Sequence, residues 1–491
     1  MPILTIWQNG IKQSIPFEGT PMLSQVLEGA GLFVPQPCGG RGHCGKCRVE
    51  ASGHLSPPNA AEQKAGSRLA CQIILLGDSE VFLPDKQELV QIQLKGWGQT
   101  NQLRPMPGQI GAAIDLGTTT LALKLFDLKT GALMASAAGA NPQTVVAADV
   151  MGRIGAAIEG KLPQLQQMAE GAIAGLLEKA CQEAKADISL VMSMVIAGNT
   201  TMLYLLTGKN PLTLSRAPFK ADHLFGEWAD ILGKSAYLPR CMNAFVGADI
   251  TCAVLASGMC EKPDTALLVD VGTNGEIALW KDGALHIAST AAGPAFEGAG
   301  IHMGCGSVQG AIDSVWIEEG QIAYHTIGEV KPFGVCGSGL IDAIAALLDL
   351  GMVEDTGATG ARRLHLSDNV YLIPRDIRNV QLAKAAIAAG IRTLMHEAQT
   401  KPEDIHCLYL AGGFGSHLNI ANAARIGLIP KELAGKVRVI GNAALSGAAK
   451  LLLNTDNLSA LSRIAAGAEH VPLGGNPWFN EAYMEEMMFS D

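Results

Sequence analysis

Short alternating runs open the chain, and longer helical stripes fill much of the remainder. Ile3-Leu4-Thr5-Ile6-Trp7 and residues 12–17 flank Asn9-Gly10, a pairing that favours a two-residue hairpin turn, so two short strands are predicted there. Thr20 can cap a helix over 20–29, Pro21 suits its first position, and Leu23, Val26 and Leu27 form its apolar stripe. Strand-like runs return at 81–83 and 90–94. Apolar stripes at three-to-four spacing predict helices over 162–183, 339–350 and 381–396, whereas 354–380 carries no strong pattern and reads as a surface excursion.

A repeat organises the larger part of the chain. Ala113-Ile114-Asp115-Leu116-Gly117-Thr118-Thr119 is followed by an apolar run to Asp127 and a Lys129-Thr130-Gly131 turn. Leu268-Val269-Asp270-Val271-Gly272-Thr273-Asn274-Gly275-Glu276 is followed by Ile277 to Trp280 and a Lys281-Asp282-Gly283 turn. Each copy reads as buried strand, Asp-x-Gly-Thr turn, second strand and hairpin, so two similar α/β lobes facing a cleft are predicted. The expected domains are 1–95, a linker 96–110 rich in Gly, Pro and Gln, and 111–491. The last is divided into lobe one (about 111–262), lobe two (about 263–440) and a connector helix 441–455 returning toward lobe one.

At 491 residues the chain is too long for one core. Its 48% apolar and 17% charged content is that of a buried globular protein. A net charge of −10 argues against nucleic acid or an anionic membrane as partner. No apolar run reaches membrane-spanning length, the first residues lack a signal peptide's order, and a cytoplasmic location is expected.

Eleven cysteines sharpen the picture. Cys38-x5-Cys44-x2-Cys47, on the loop PCGGRGHCGKC, is joined after a long gap by Cys71. Three thiolates on one glycine-rich loop plus a distant fourth is the ligand pattern of a [2Fe-2S] cluster, and Gly39, Gly40, Gly42 and Gly45 let backbone amides approach the sulfurs. Zinc loops commonly use two C-x2-C pairs, and the second pair is missing. The other seven cysteines have no such spacing and read as buried apolar residues in a reducing compartment.

The repeated turns suit nucleotide phosphates. Gly117 and Gly272 free the backbone to approach a phosphate, and Thr118, Thr119, Thr273 and Asn274 donate to it. Asp115 and Asp270 suit the binding of Mg²⁺ or its waters. A strand ending in Ala411-Gly412-Gly413-Phe414-Gly415 suits close contact with a nucleoside, so Gly412, Gly413 and Phe414 are assigned there. Asn199, in Ala197-Gly198-Asn199-Thr200-Thr201, joins the nucleotide-site candidates. Glu276 reads either as a second base or as structural, and Asp249 either as a site carboxylate or as a helix cap.

In order, these motifs resemble the acetate and sugar kinase/Hsp70/actin superfamily. The two Asp-x-Gly-Thr loops resemble its phosphate motifs, AGGFG its adenosine motif, and 195–202 and 441–448 its two connectors. The first 95 residues resemble a β-grasp ferredoxin. The fold class implied is therefore α+β and α/β multidomain: an N-terminal β-grasp [2Fe-2S] domain and a duplicated, two-lobed ATPase. AGNTTM, VDVGTNGEIAL, GPAFEGAGI, CGSGLIDAIA and AGGFGSHLN are similar to one family in particular, the reductive activators of corrinoid enzymes.

That resemblance implies ATP-dependent reduction of Co(II) to Co(I) in a corrinoid protein of a methyltransferase system. One electron would pass from a low-potential donor through the cluster, with ATP and Mg²⁺ as further cofactors and a homodimer as the assembly. Some family members carry an additional middle domain. Here about 15 residues separate the two halves, which implies that it is missing. The glycine-rich segment 293–310, with His302, Met303, Cys305 and Ser307, is expected either to face the corrinoid partner or to pack between lobes. Two other readings stay open: activation of another low-potential enzyme, such as a 2-hydroxyacyl-CoA dehydratase, and a redox-gated small-molecule kinase.

Overall fold

The computed structural model describes residues 1–8, 11–30, 32, 34, 42, 47–83, 102–147, 149–412 and 418–489. The Asn9-Gly10 turn, the strand expected at 90–94 and much of the linker lie outside them.

The N-terminal unit contains β1 (Ile3–Gln8), β2 (Ile11–Pro16), α1 (Leu23–Gly29), β3 (Glu50–Leu55), α2 (Ala60–Ala65) and β4 (Leu75–Phe82). Its sheet order is β2-β1-β4-β3, with β1 and β4 parallel at the centre. Leu4, Ile6, Leu23, Leu27, Ile73 and Val81 close its core. The helix begins at Leu23 rather than Thr20, because Met22 is held extended in a bridge to Ile74. The strand expected at 81–83 starts earlier, at Leu75.

Lobe one contains β5 (Ile110–Leu116), β6 (Thr120–Asp127), β7 (Leu133–Ala140), α3 (Val150–Ala156), α4 (Leu162–Ala184), β8 (Val191–Gly198), α5 (Thr200–Leu206), α6 (Leu212–Ser215), β9 (Glu227–Ile231) and β10 (Lys234–Leu238). The chain then forms α7 (Ala248–Ser257). In lobe two, β11 (Ala266–Val271), β12 (Gly275–Lys281) and β13 (Ala284–Thr290) are followed by a small sheet of β14 (Ala311–Glu318), β15 (Gln321–Thr326) and β16 (Gly334–Val335). Next come α8 (Gly337–Asp349), a ribbon of β17 (Leu364–His365) and β18 (Tyr371–Leu372), and α9 (Pro374–Glu397). The chain continues through β19 (Cys407–Ala411), α10 (Ile420–Arg425), β20 (Val437–Gly441), α11 (Ala443–Leu453), α12 (Asn457–Ala466), β21 (Glu469–His470) and α13 (Pro477–Glu485).

The repeat is visible in the sheets. Lobe one is ordered β7-β6-β5-β8-β10-β9 and lobe two β13-β12-β11-β19-β20, with β21 added beside β13. In both, the Asp-x-Gly-Thr strand pairs antiparallel with the next strand and parallel with a later one. Asp115 lies opposite Ala197, and Asp270 opposite Ala411. Register therefore makes Ala197 the counterpart of Ala411.

The two lobes exchange helices. α7 packs through Ile250, Ala253 and Val254 on lobe two's sheet, against Leu268, Ala278 and Tyr409. α11 packs through Leu445, Ala448 and Leu452 on lobe one's, against Ala113, Ala122 and Val195. The return of 441–455 toward lobe one is thus observed. The other expected connector, 195–202, is instead the end of β8 and the start of α5, and α7 does the crossing. The two helices meet where a Cβ on Gly447 would lie 2.0 Å from the Cys252 carbonyl oxygen, so only glycine admits this approach.

Two further expectations change. Residues 354–380 are not a surface excursion: Leu364, Leu366, Val370, Leu372 and Ile377 are fully buried in lobe two's core. The tail of the linker is fixed, with Arg104 and Met106 amides donating to the Leu453 and Leu452 carbonyls at 3.0 and 2.9 Å. Backbone hydrogen bonding, which hydropathy does not report, fixes the linker's tail. Among the described residues no helix is long and apolar enough to cross a membrane.

Candidate functional site

Two sites are defined, one in each part of the chain. In the N-terminal unit, Asn59 caps α2 and forms a capping box with Glu62. The buried Glu62 carboxylate also accepts from Arg68 Nε at 2.8 Å and from the Leu69 amide at 3.0 Å, which fixes the segment leading to Cys71. The Cys47 and Cys71 sulfurs lie 3.2 Å apart, both buried. The Cys47 thiol donates to the Cys71 sulfur, and this holds Cys71 down to about 6, well below an ordinary thiol. A paired, thiolate-prone sulfur set is what iron requires. Gly42, at φ +74°, passes so close to Gln72 and Ala61 that a Cβ would stand 2.9 Å from the Gln72 amide carbon. Cys38 and Cys44 lie outside the described residues.

The second site lies between the lobes. Asp115 and Asp270 are each the penultimate residue of their strand, β5 and β11, where parallel strands deliver their C-terminal ends to one cleft. Asn442, at the N-cap of α11, donates through its side-chain amide to Asp115 Oδ2 at 2.9 Å. Burial pushes Asp115 up to about 7, and the charge of Asp249 adds to the shift. Burial likewise raises Asp270 to about 7, helped by Asp249, Asp115 and Glu297. Glu276 sits directly opposite Asp270 on β12, and burial, then Asp249 and Asp270, push it far above the carboxylate range. Asp249 is raised to about 6 by burial. It sits in the first turn of α7 behind the N-cap, Gly247, and its Oδ1 accepts from the Ile250 amide at 2.8 Å while its charge acts on Asp115 and Asp270. Such a set of facing carboxylates takes up either protons or a divalent cation.

The phosphate loops are braced from behind. Asn199 caps α5, accepting from the Met202 amide at 2.9 Å, and donates to Thr118 Oγ1 at 3.0 Å. Its side chain is therefore committed to loop one. Arg153, fully buried, donates to the Thr118 carbonyl at 2.6 Å and to Gln143 Oε1 at 3.1 Å. Sequence reasoning missed Arg153, since an arginine in an otherwise ordinary stripe carries no signal of burial. In loop two, Thr273 Oγ1 donates to Glu297 Oε1 at 2.8 Å, and the Gly272 amide donates to the Asn274 carbonyl at 3.0 Å. Gly412, at φ +113°, crosses so near that a Cβ would be 2.6 Å from the Val271 oxygen and 3.1 Å from Asp270 Oδ1. Backbone this close, beside a carboxylate, leaves no room for a side chain. Gly413 and Phe414 lie outside the described residues.

Glu297 was not among the predicted residues, although it lies inside 293–310. That segment divides its work: Ala295, Phe296 and Ile301 pack into lobe two's core, while Glu297 reaches the cleft and His302 and Gly306 are exposed. Of the seven cysteines read as buried, Cys181, Cys241, Cys252, Cys336 and Cys407 are so, and Cys260 and Cys305 are half-buried.

These features define a two-lobed ATPase of the sugar kinase/actin class joined to a ferredoxin-like iron–sulfur domain. Residues 6–76 match the family model of the 2Fe-2S iron-sulfur cluster binding domain, 110–262 that of the RACo middle region, and 264–491 that of the C-terminal ASKHA domain of RACo. The middle region is thus present, as the segment that forms lobe one. The chain is 34% identical to the corrinoid activation enzyme RamQ of Eubacterium limosum, covering 78% of this chain and 70% of that one. It is 27% identical to the [Co(II) methylated amine-specific corrinoid protein] reductase of Methanosarcina barkeri, covering 77% of each. A solved reductive activator for corrinoid,iron-sulfur protein superposes with a TM-score of 0.74 at 26% identity, covering 99% of this chain and 98% of that one. The chain belongs to the reductive activators of corrinoid proteins.

Proposed function

We propose that this protein uses ATP to drive one-electron reduction of Co(II) to Co(I) in a corrinoid protein of a methyltransferase system. The observation that carries the reading is the joining, in one chain, of the Cys47–Cys71 sulfur pair to the Asp115–Asp270 cleft, in a family of corrinoid activators. The [2Fe-2S] cluster bound by Cys38, Cys44, Cys47 and Cys71 supplies a one-electron carrier, which a low-potential donor refills.

Within the cleft, Asp115 and Asp270 would hold Mg²⁺, which would orient the attacking water, and Glu276 and Asp249 stand beside them. The hydroxyls of Thr118, Thr119 and Thr273, with the amides of both loops, bind phosphate, and Gly412 admits the nucleoside. ATP can shift the lobes only by as much as it prefers one of their arrangements, plus what hydrolysis supplies if coupled. The exchanged helices α7 and α11 are the elements through which such a shift passes. The corrinoid protein docks at the exposed part of 293–310. A homodimer and a cytoplasmic location complete the proposal, the first resting on the family resemblance and the second on the sequence.

The test is anaerobic. The protein is mixed with a Co(II) corrinoid protein and a low-potential reductant, and the Co(I) band is followed with and without ATP–Mg²⁺. Co(I) that forms only with ATP, and not in Cys47→Ser, is the expected result. ATP turnover that depends on a small molecule, with no Co(I), sinks the reading in favour of a redox-gated kinase.

A further inference from the structure

One side chain bridges the two phosphate loops. Glu297 ends the turn Pro294–Glu297 that follows lobe two's third strand. Its Oε2 accepts from Thr119 Oγ1 of lobe one at 2.9 Å, and its Oε1 from Thr273 Oγ1 of lobe two at 2.8 Å. The two donors are 154 residues apart in sequence, one on each Asp-x-Gly-Thr loop, Thr273 standing at the place of Thr118 and Thr119 one residue further on. A hydroxyl has a single proton to donate. Each proton given to Glu297 is one that a phosphate oxygen cannot receive. A carboxylate with two oxygens set between two hydroxyls offers the same acceptors as a terminal phosphate.

We propose that Glu297 is a positioning residue that competes with the terminal phosphate of ATP for Thr119 and Thr273, and that its displacement carries the nucleotide state to the surface loop 298–306. This rests on the reading of the cleft as the ATP site.

The path to the surface is short and rigid. Phe296, beside Glu297, is fully buried and anchors the turn in lobe two's core. Gly298, at φ +78°, follows at once, and a Cβ there would lie 2.3 Å from the Cys305 carbonyl oxygen. A Cβ on Gly304 would lie 2.3 Å from the Gly298 oxygen, so these backbones cannot shift independently. The Cys305 amide donates to the Val335 carbonyl and the Val335 amide to the Met303 carbonyl, both at 2.9 Å. This joins the loop to β16 and, one residue on, to the start of α8. The His302 amide donates to Asp376 Oδ1 at 2.8 Å, and Asn379 Nδ2 to the Gly300 carbonyl at 2.8 Å, so the same loop also rests on the start of α9. A change in Glu297 is therefore passed to β16, α8 and α9 together, the kind of local contact change that a bound phosphate can bias.

The experiment compares the full-length protein with Glu297→Gln and Glu297→Ala. ATP–Mg²⁺ binding is measured by calorimetry, and amide exchange is followed over 299–306 and 334–336. Both variants are expected to bind ATP–Mg²⁺ about fivefold tighter or more, the low end of couplings between sites. In the wild type, ATP is expected to change exchange in both segments, and in Glu297→Gln this response is expected to vanish. The nearly isosteric Gln variant decides the matter if the Ala variant does not fold, its fold being checked by thermal melting. Unchanged or weaker binding in a folded Gln variant overturns the inference, as does a wild-type loop that ATP leaves unmoved. A wild type that binds no ATP overturns instead the reading of the cleft.

Discussion

Asn442 and Asp115, 327 residues apart, meet at 2.9 Å: the amide that caps the helix leaving lobe two donates to the carboxylate near the end of lobe one's first strand. The cap also accepts from the Leu445 amide at 2.8 Å, so the start of α11 and the carboxylate are oriented by one side chain. Any shift of α11 is felt at Asp115. Replacing Asp115 with Asn removes a buried charge but keeps the shape. Asp115→Asn is expected to lower ATP-dependent Co(I) formation by about 10²-fold or more, the scale of removing a preorganised electrostatic group, while the melting temperature holds or rises. Loss of activity together with a collapsed melting temperature would instead mark Asp115 as chiefly structural.

Protonation of the cleft gives a second expectation. Asp115 and Asp270 are raised to about 7 and Asp249 to about 6. In the unfolded chain an aspartate titrates near ~3.9, so between roughly pH 4 and 7 the folded state binds the more protons. By linkage, their contribution to stability is full below about pH 4 and is lost as pH rises through 7. The difference in stability between wild type and Asp270→Asn should therefore turn against the wild type from pH 5 to 8. Added Mg²⁺, which binds the ionised form, should stabilise the wild type more at pH 8 than at pH 6. Thermal melts across pH with and without Mg²⁺ read both, and a flat difference would refute them.

The helix crossing is equally exposed to test. A methyl on Gly447 would overlap the Cys252 backbone, with its carbonyl carbon at 2.4 Å and Cα at 2.6 Å. Neither is a flexible chain end that can yield. Gly447→Ala should cost about 3 kcal/mol or more in urea melts, at the upper end of overpacking. A neutral result would mean that α7 and α11 slide freely.

Arg153 supports phosphate loop one from the core, donating to the Thr118 and Ala147 carbonyls and to Gln143. Burial lowers its guanidinium to about 10, so it remains charged at neutral pH. Arg153→Met leaves carbonyls unsatisfied, at about 1–3 kcal/mol each, and frees the loop. Weaker ATP binding, by about tenfold, together with a lower melting temperature is expected. Unaltered ATP affinity would show that loop one holds its shape without it.

Much of this molecule can be read from local pattern. The spacing of the four cysteines, the two Asp-x-Gly-Thr turns and the stripes of α4, α8 and α9 each lie within one short stretch, where neighbouring residues suffice to define the chemistry or the period. The stripe of α9 places its start at 381 rather than Pro374, because the first turns carry Arg375, Asp376 and Arg378 and look polar. The buried ribbon at 364–372 escapes detection because two-residue strands have no period. The motif around Asn199 assigns it to the nucleotide site but gives no sign that its side-chain amide donates to Thr118.

What the sequence alone determined is the kind of chemistry and the duplication: thiolates for iron, glycine turns with carboxylates for a nucleotide, and two equivalent halves. What only the tertiary structure decided is which residues from the two halves meet. The exchange of α7 and α11, the Asn442–Asp115 contact, the buried Arg153 and the Glu297 bridge between Thr119 and Thr273 all depend on how two sheets are brought together across a cleft. Hydrogen bonds form at about 3 Å in space, without regard to separation along the chain, and periodicity records only the latter.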